Sequence, residues 1–171
     1  MTKKITSIVL AAGKGTRMNS SLPKPLHSVA GKPMLSHIIE NINAANINDI
    51  IVVINNDSDD LKNYLKKNYP DVRTSVQENQ NGTGDAVKSV FNNYDLSDSD
   101  GVVVIFGDTP LLRSETIQKL SESSLRNDLT IMVFEAENPK GYGRIILKHG
   151  KIHSIVEEIN TTEENKNIKL C

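Results

Sequence analysis

The sequence has a single cysteine, no tryptophan, four tyrosines and three phenylalanines in 171 residues. Cys171 is the last residue, so no internal disulfide and no cysteine metal cluster can form, which agrees with a reducing compartment. With so few aromatic rings there is little material for a platform on which bases stack. The net charge of −1 leaves no global basic field of the kind that draws proteins to nucleic-acid backbones. Nucleic acid is therefore not an expected partner, and phosphate binding must be local. No apolar run approaches the roughly 20 residues a membrane span requires, so no membrane association is expected. The start, Met1-Thr2-Lys3-Lys4, runs straight into an amphipathic strand. Without the apolar core and cleavage site of a secretory leader, it points to a cytoplasmic location.

What is present is ordinary for a globular chain, 37% hydrophobic and 24% charged residues, at about the size of one domain. Residues 1–171 are expected to form one unit. Short β-branched runs alternate with segments of helical period. Strands are expected at Ile5–Leu10, Ile50–Ile54, Arg73–Gln77 and Val102–Phe106, and helices at Met34–Ala45, Leu61–Lys67, Thr83–Phe91 and Ser114–Leu125. Met34, Leu35, Ile38, Ile39, Ile42 and Ala45 make one apolar face, with Pro33 suited to a helix start. Ser114 offers an approximate cap. Further strands are expected at Leu129–Ala136, Arg144–Leu147 and Lys151–Val156, the last two joined as a hairpin across His149-Gly150. The fold class is α/β, a Rossmann-like mixed, mostly parallel sheet flanked by helices. The polar run from Asn160 and the bare Leu170-Cys171 end read as a domain cut short.

The most informative segment is Leu10-Ala11-Ala12-Gly13-Lys14-Gly15-Thr16-Arg17-Met18, which leads to Leu22-Pro23-Lys24-Pro25. Small residues at the carboxyl end of a strand let the backbone approach a ligand, and successive N–H groups there bind phosphate oxygens. Gly13 and Gly15 remove obstructing side chains. A dinucleotide fingerprint would need a third glycine where Met18 stands, and a P-loop would need glycine at Ile8. Neither motif fits. What remains is a glycine loop with Lys14, Arg17 and Lys24 around it, suited to a triphosphate that develops charge during transfer. The plain alternative is a turn with solvated cations. Asp108, beyond the apolar strand and Gly107, stands where α/β sheets hold ligands and suits Mg²⁺, or is a turn-forming residue before Pro110. Thr83 is a helix cap or a ligand contact. His27, His37, His149 and His153 have no spacing for a metal site or a nucleophile–base pair.

Leu10–Met18, Pro23-Lys24 and Ala30-Gly31-Lys32-Pro33-Met34 are followed by Gln77-Glu78-Asn79-Gln80-Asn81-Gly82-Thr83-Gly84, Phe106-Gly107-Asp108-Thr109-Pro110-Leu111, Gly141-Tyr142-Gly143-Arg144 and Ile155-Val156-Glu157-Glu158. In order and spacing, over essentially the whole chain, these blocks resemble the uridylyltransferase domain of the bacterial bifunctional uridylyltransferase/acetyltransferases that make UDP-N-acetylglucosamine. More distantly they look like the wider family of sugar-nucleotide pyrophosphorylases.

That resemblance implies a nucleotide-diphospho-sugar transferase fold and transfer from UTP to N-acetylglucosamine 1-phosphate with release of pyrophosphate. It implies Arg17 and Lys24 as catalytic cations, and Leu10, Ala11, Ala12, Gly13, Gly15, Gln77, Gly82 and Thr83 as nucleotide-binding residues. Gly143 and Glu157 would take the amino sugar, and Asp108 would hold Mg²⁺. Lys14 is given no such role, Tyr142 and Arg144 support the hairpin, and Glu158 reads as a solvated charge. Phe106 stands where close relatives usually carry tyrosine, and Ile159-Asn160 replace a basic residue and aspartate. An Asn-Ser/Thr-Gly block expected directly after Cys171, a later asparagine of the Mg²⁺ site and the β-helical acetyltransferase domain are absent. The expectation is a monomer or weak oligomer without acetyl transfer. The rival readings are a related enzyme with another sugar or a cytidylyl donor, and a truncated nucleotide-binding module.

Overall fold

The computed structural model describes residues 3–13, 15 and 18–171. They divide into two compact units, one ending at Thr130 and the other spanning Ile131–Cys171.

In the first unit the chain forms β1 (Ile5–Leu10), a small hairpin of β2 (Ser28–Val29) and β3 (Lys32–Pro33), α1 (Met34–Ala44) and β4 (Asp49–Asn55). There follow α2 (Asp59–Asn68), β5 (Arg73–Gln77), α3 (Thr83–Asn93), β6 (Gly101–Phe106) and α4 (Ser114–Ser124). The central sheet has the order β5-β4-β1-β6 with every neighbouring pair parallel, Val9 lying between Val52 and Ile105. Parallel neighbours need long crossovers, which the helices supply. Buried on both faces, the strands read as continuous apolar runs. Val9, Val52, Ile54, Val103 and Ile105 pack on one side with residues of α1, α2 and α4. Ile8, Ile51 and Val53 pack on the other with Ala86 and Val90 of α3.

Leu35, Ile38, Ile39 and Ile42 of α1 are completely buried. Their three- and four-residue steps make the stripe a sheet-facing helix needs, and each contributes about 1.5–3 kcal/mol by burial. Pro33 occupies the N-cap position. The helix stops where Asn46 turns left-handed (φ 61°) and the Ile47 N–H donates back to the Ile42 carbonyl at 3.2 Å, a turn that asparagine tolerates well. At α4 the cap position is Arg113, so Ser114 begins the helix rather than capping it.

In the second unit β7 (Arg144–Lys148) and β8 (Lys151–Val156) form the expected hairpin. His149 and Gly150 both have positive φ, 51° and 74°, as a two-residue primed turn requires. The hairpin is a sheet of its own, so the central sheet is wholly parallel rather than mixed. The strand expected over Leu129–Ala136 does not form. Among the described residues its backbone pairs only with the end of the chain: Phe134 and Cys171 exchange backbone bonds at 2.9 Å, and Ala136 N–H donates to the Lys169 carbonyl at 2.8 Å. Without a partner along its length, strand propensity alone does not make a strand.

Arg144, only 2% exposed, organises this unit. Its Nε and Nη2 donate to the Lys166 carbonyl at 3.3 and 3.1 Å, and its Nη1 also donates to the Tyr142 carbonyl. The same Nη1 lies 2.8 Å from Glu158 Oε2. Glu158, which opens the 3-10 turn after β8, is therefore ion-paired while its side chain keeps 40% exposure. The backbone N–H of Gly141, and after it the Arg144 guanidinium, hold its carboxyl below the usual glutamate range.

Candidate functional site

From β1 the chain moves outward to β4 and β5 and then returns to β6 on the opposite side of β1. The carboxyl ends of β1 and β6 therefore flank a topological switch point, the place where open parallel sheets bind ligands. Two glycines let the cleft form there. A Cβ on Gly107 would come within 3.2 Å of the Leu10 carbonyl oxygen. As glycine, residue 107 instead donates its N–H to that oxygen at 2.9 Å, bringing Asp108 beside the end of β1. Gly15, with φ 58°, rests against Lys24, whose Cβ would lie 3.0 Å from a Cβ placed on it. Lys24 opens the short 3-10 turn Lys24–Leu26, anchored by buried Pro25 and Leu26. From there its Nζ donates to Asp108 Oδ2 at 2.5 Å.

The resulting cleft of about 280 Å³ is lined by Leu10, Ala11, Ala12, Gly13, Lys24, Gln77, Gly82, Thr83 and Asp108, together with Pro25, Gln80, Ala86 and Phe106. The sequence-derived phosphate, base and metal residues thus share one cleft, with Gly15 packed behind Lys24. Arg17 and Lys14 lie outside the described residues. Gly82, not Thr83, occupies the cap position of α3, with φ 98° and ψ −176°, a conformation essentially reserved for glycine. Thr83 is the first helical residue and lines the cleft. The open N–H groups of that first turn favour electronegative ligand atoms.

In the second unit Gly143 and Glu157 are neighbours across the hairpin, a Cβ on Gly143 falling 3.6 Å from Glu157 Oε2. His27 and His37 touch the carbonyl oxygens of Leu22 and Val29 through Nε2, in keeping with structural roles. Among the described residues no three His, Cys, Asp or Glu side chains group as a metal cluster, and no helix is long and apolar enough to cross a membrane.

Sequence reasoning passed over three side chains that shape the cleft. Gln80 and Asn55 donate to the Ala12 carbonyl at 3.4 and 3.5 Å, steadying the turn after β1. Asp85 accepts from the side-chain amide of Gln77 at 2.8 Å. Asn55, a polar residue ending an apolar strand at the sheet's carboxyl edge, carried a readable signal; Asp85 looked like an ordinary first-turn acid.

A parallel sheet with a loop of small residues, a helix N-terminus and a lysine–carboxylate pair at its switch point defines an α/β ligand-binding domain of the nucleotide-handling type. The chain belongs to the family of MobA-like NTP transferase domains, which it matches over residues 7–167. It is 41% identical over 166 residues to the bifunctional protein GlmU of Parvibaculum lavamentivorans, covering 96% of this chain but 36% of that protein. The chain thus spans about a third of the length of the curated relatives it matches. Among solved structures, HddC from Yersinia pseudotuberculosis, complexed with GMP-PN, aligns with TM-score 0.70 and 28% identity over 90% of this chain and 69% of its own. A UDP-glucose pyrophosphorylase complexed with UDP-glucose shares the fold at TM-score 0.73, with 18% identity, over 99% of this chain and 73% of its own.

Proposed function

We propose that this chain transfers a uridylyl group from UTP to a sugar 1-phosphate, with N-acetylglucosamine 1-phosphate as the acceptor. A phosphate oxygen of the sugar phosphate attacks the α-phosphorus of UTP. A new P–O bond forms as the bond to the β-phosphate breaks, and pyrophosphate leaves with its electron pair. No covalent enzyme intermediate is needed, so catalysis rests on positioning and charge neutralisation.

The observation that carries this reading is the convergence of Leu10–Gly13, Lys24, Gln77, Gly82, Thr83 and Asp108 on one cleft at the switch point. Backbone N–H groups of the turn after Ala11, whose own N–H donates to the Val53 carbonyl at 2.9 Å, take phosphate oxygens, with Gly15 giving Lys24 room to approach. Lys24 neutralises charge on the transferring and leaving phosphates, and Arg17, through its sequence position, is assigned the same task. Gln77, Gly82 and Thr83 meet the uracil, and Gly143 and Glu157, through their sequence positions, are assigned the amino sugar.

Asp108 fits a divalent cation. It is a hard-oxygen donor lining the cleft that already attracts the Lys24 ammonium, and Mg²⁺ characteristically takes one or two carboxylates with phosphates and water for the rest. Bound there, Mg²⁺ supplies Lewis-acid stabilisation of the phosphates.

The test is a panel of nucleoside triphosphates against sugar 1-phosphates, followed by pyrophosphate release. UTP with N-acetylglucosamine 1-phosphate should turn over fastest, and Asp108→Ala should lower the rate at least about 100-fold without unfolding the chain. Preferential turnover of CTP or GTP would overturn the uridylyl assignment.

A further inference from the structure

We propose that Asp85 is the positioning residue that sets base preference, by fixing which end of the Gln77 amide faces the cleft. The inference rests on the uridylyl reading and extends it to a residue outside the motif contacts.

A glutamine amide is ambiguous by nature, because rotating it by half a turn exchanges a donor for an acceptor. In this chain the choice is imposed. Gln77, at the end of β5, is 5% exposed. Its Nε2 donates to Asp85 Oδ2 at 2.8 Å and to the Gly82 carbonyl at 3.1 Å. Both protons of the amide nitrogen are thereby used, and both partners are acceptors. A carboxylate cannot donate, so the flipped amide would set its oxygen against the Asp85 charge and the Gly82 carbonyl together. Asp85 lies in the first turn of α3, which brings its carboxylate back over the end of β5.

Gln77 lines the cleft, and among the described residues its Oε1 is the amide atom left for a ligand. Beside it the first turn of α3 offers N–H donors. With the triphosphate anchored near Gly13, the ribose and the register of the base are fixed. An acceptor next to a donor then matches N3–H and O4 of uracil. Cytosine reverses both, placing its N3 lone pair against Oε1 and its amino group against the N–H donors. Were the amide free to turn, Nε2 would meet cytosine N3 and much of the discrimination would vanish.

The experiment compares kcat/KM for UTP and CTP in the wild-type chain, Asp85→Ala and Asp85→Asn. Losing a charge-assisted acceptor should shrink the UTP:CTP ratio about tenfold in Asp85→Ala. Asp85→Asn can still turn an oxygen toward Gln77 and should stay within about threefold of wild type. In ¹H–¹⁵N spectra the Gln77 side-chain NH2 pair should be slowly exchanging in the wild type and fast in Asp85→Ala, a readout independent of turnover. An unchanged ratio in Asp85→Ala overturns the proposal, and so does an equal loss in both variants, because charge rather than amide orientation would then set the preference. A wild-type chain with no preference for UTP removes the parent reading and this one together, whereas a wild-type preference that survives Asp85→Ala removes only this one.

Discussion

The Lys24 ammonium sits on Asp108 Oδ2 at 2.5 Å, so a divalent cation bound there would compete with lysine for one carboxylate. The pair is partly open to solvent, with side-chain exposures of 40% and 33%, which limits its worth to about 1 kcal/mol. Replacing Lys24 with methionine keeps an unbranched side chain one atom shorter and removes the competing charge. Mn²⁺ titrated into Lys24→Met without nucleotide, followed by electron paramagnetic resonance, should bind up to about fivefold more tightly than to wild type. Turnover should fall in the same variant, because the phosphates lose a cation. Equal or weaker Mn²⁺ binding would show that lysine does not guard the carboxylate. At this scale the sequence was legible for placement, since Lys24 and Asp108, picked out along the chain, line one cleft. It was silent where a role depends on rotamer and packing. Asp85 reaches Gln77 only because the loop between β5 and α3 folds the first turn of α3 back over the strand end, and nothing in the letters around Arg144 shows that it is buried against the Lys166 and Tyr142 carbonyls.

Among the elements, several were legible almost to the residue. β1, β5 and β8 have the expected limits, and α1 differs by one residue because Asn46 turns the chain left-handed. The two-residue strands β2 and β3 went unread, being too short to show any period. Leu129–Ala136 was misread because strand propensity says nothing about partners. The β7–β8 hairpin carries a pH dependence through Glu158. Its carboxyl is held below the ordinary value by the Gly141 N–H and by Arg144. A depressed carboxyl stabilises the fold fully above the unfolded-state value of about 4.3. That contribution fades as pH falls through the lower folded-state value. Glu158→Gln should therefore lower the urea midpoint at pH 6 and flatten its decline between about pH 5 and pH 3. Parallel acid limbs in the two proteins would mean that the carboxylate does not stabilise the hairpin.

Taken whole, the cleft draws on β1, the Lys24 turn, the end of β5, the start of α3 and the loop after β6, segments far apart along the chain. A ligand that touches all of them binds only when the sheet is assembled, so its binding energy adds directly to the stability of the folded state. At a free UTP concentration 100 times its dissociation constant, with Mg²⁺ present, the gain is about 2.7 kcal/mol. For a chain of this size each kcal/mol raises the melting midpoint by about 2–4 °C, so calorimetry should register a rise of about 5–11 °C. CTP at the same concentration should give a smaller rise, in line with the orientation of Gln77, and Asp108→Ala should lose the part that depends on Mg²⁺. The melting measurement needs no catalysis, so it separates binding from turnover in a chain spanning about a third of its curated relatives. A rise with UTP but no pyrophosphate release would leave a nucleotide-binding module. No rise with any nucleoside triphosphate, with or without Mg²⁺, would remove the nucleotide from the cleft and the uridylyl reading with it.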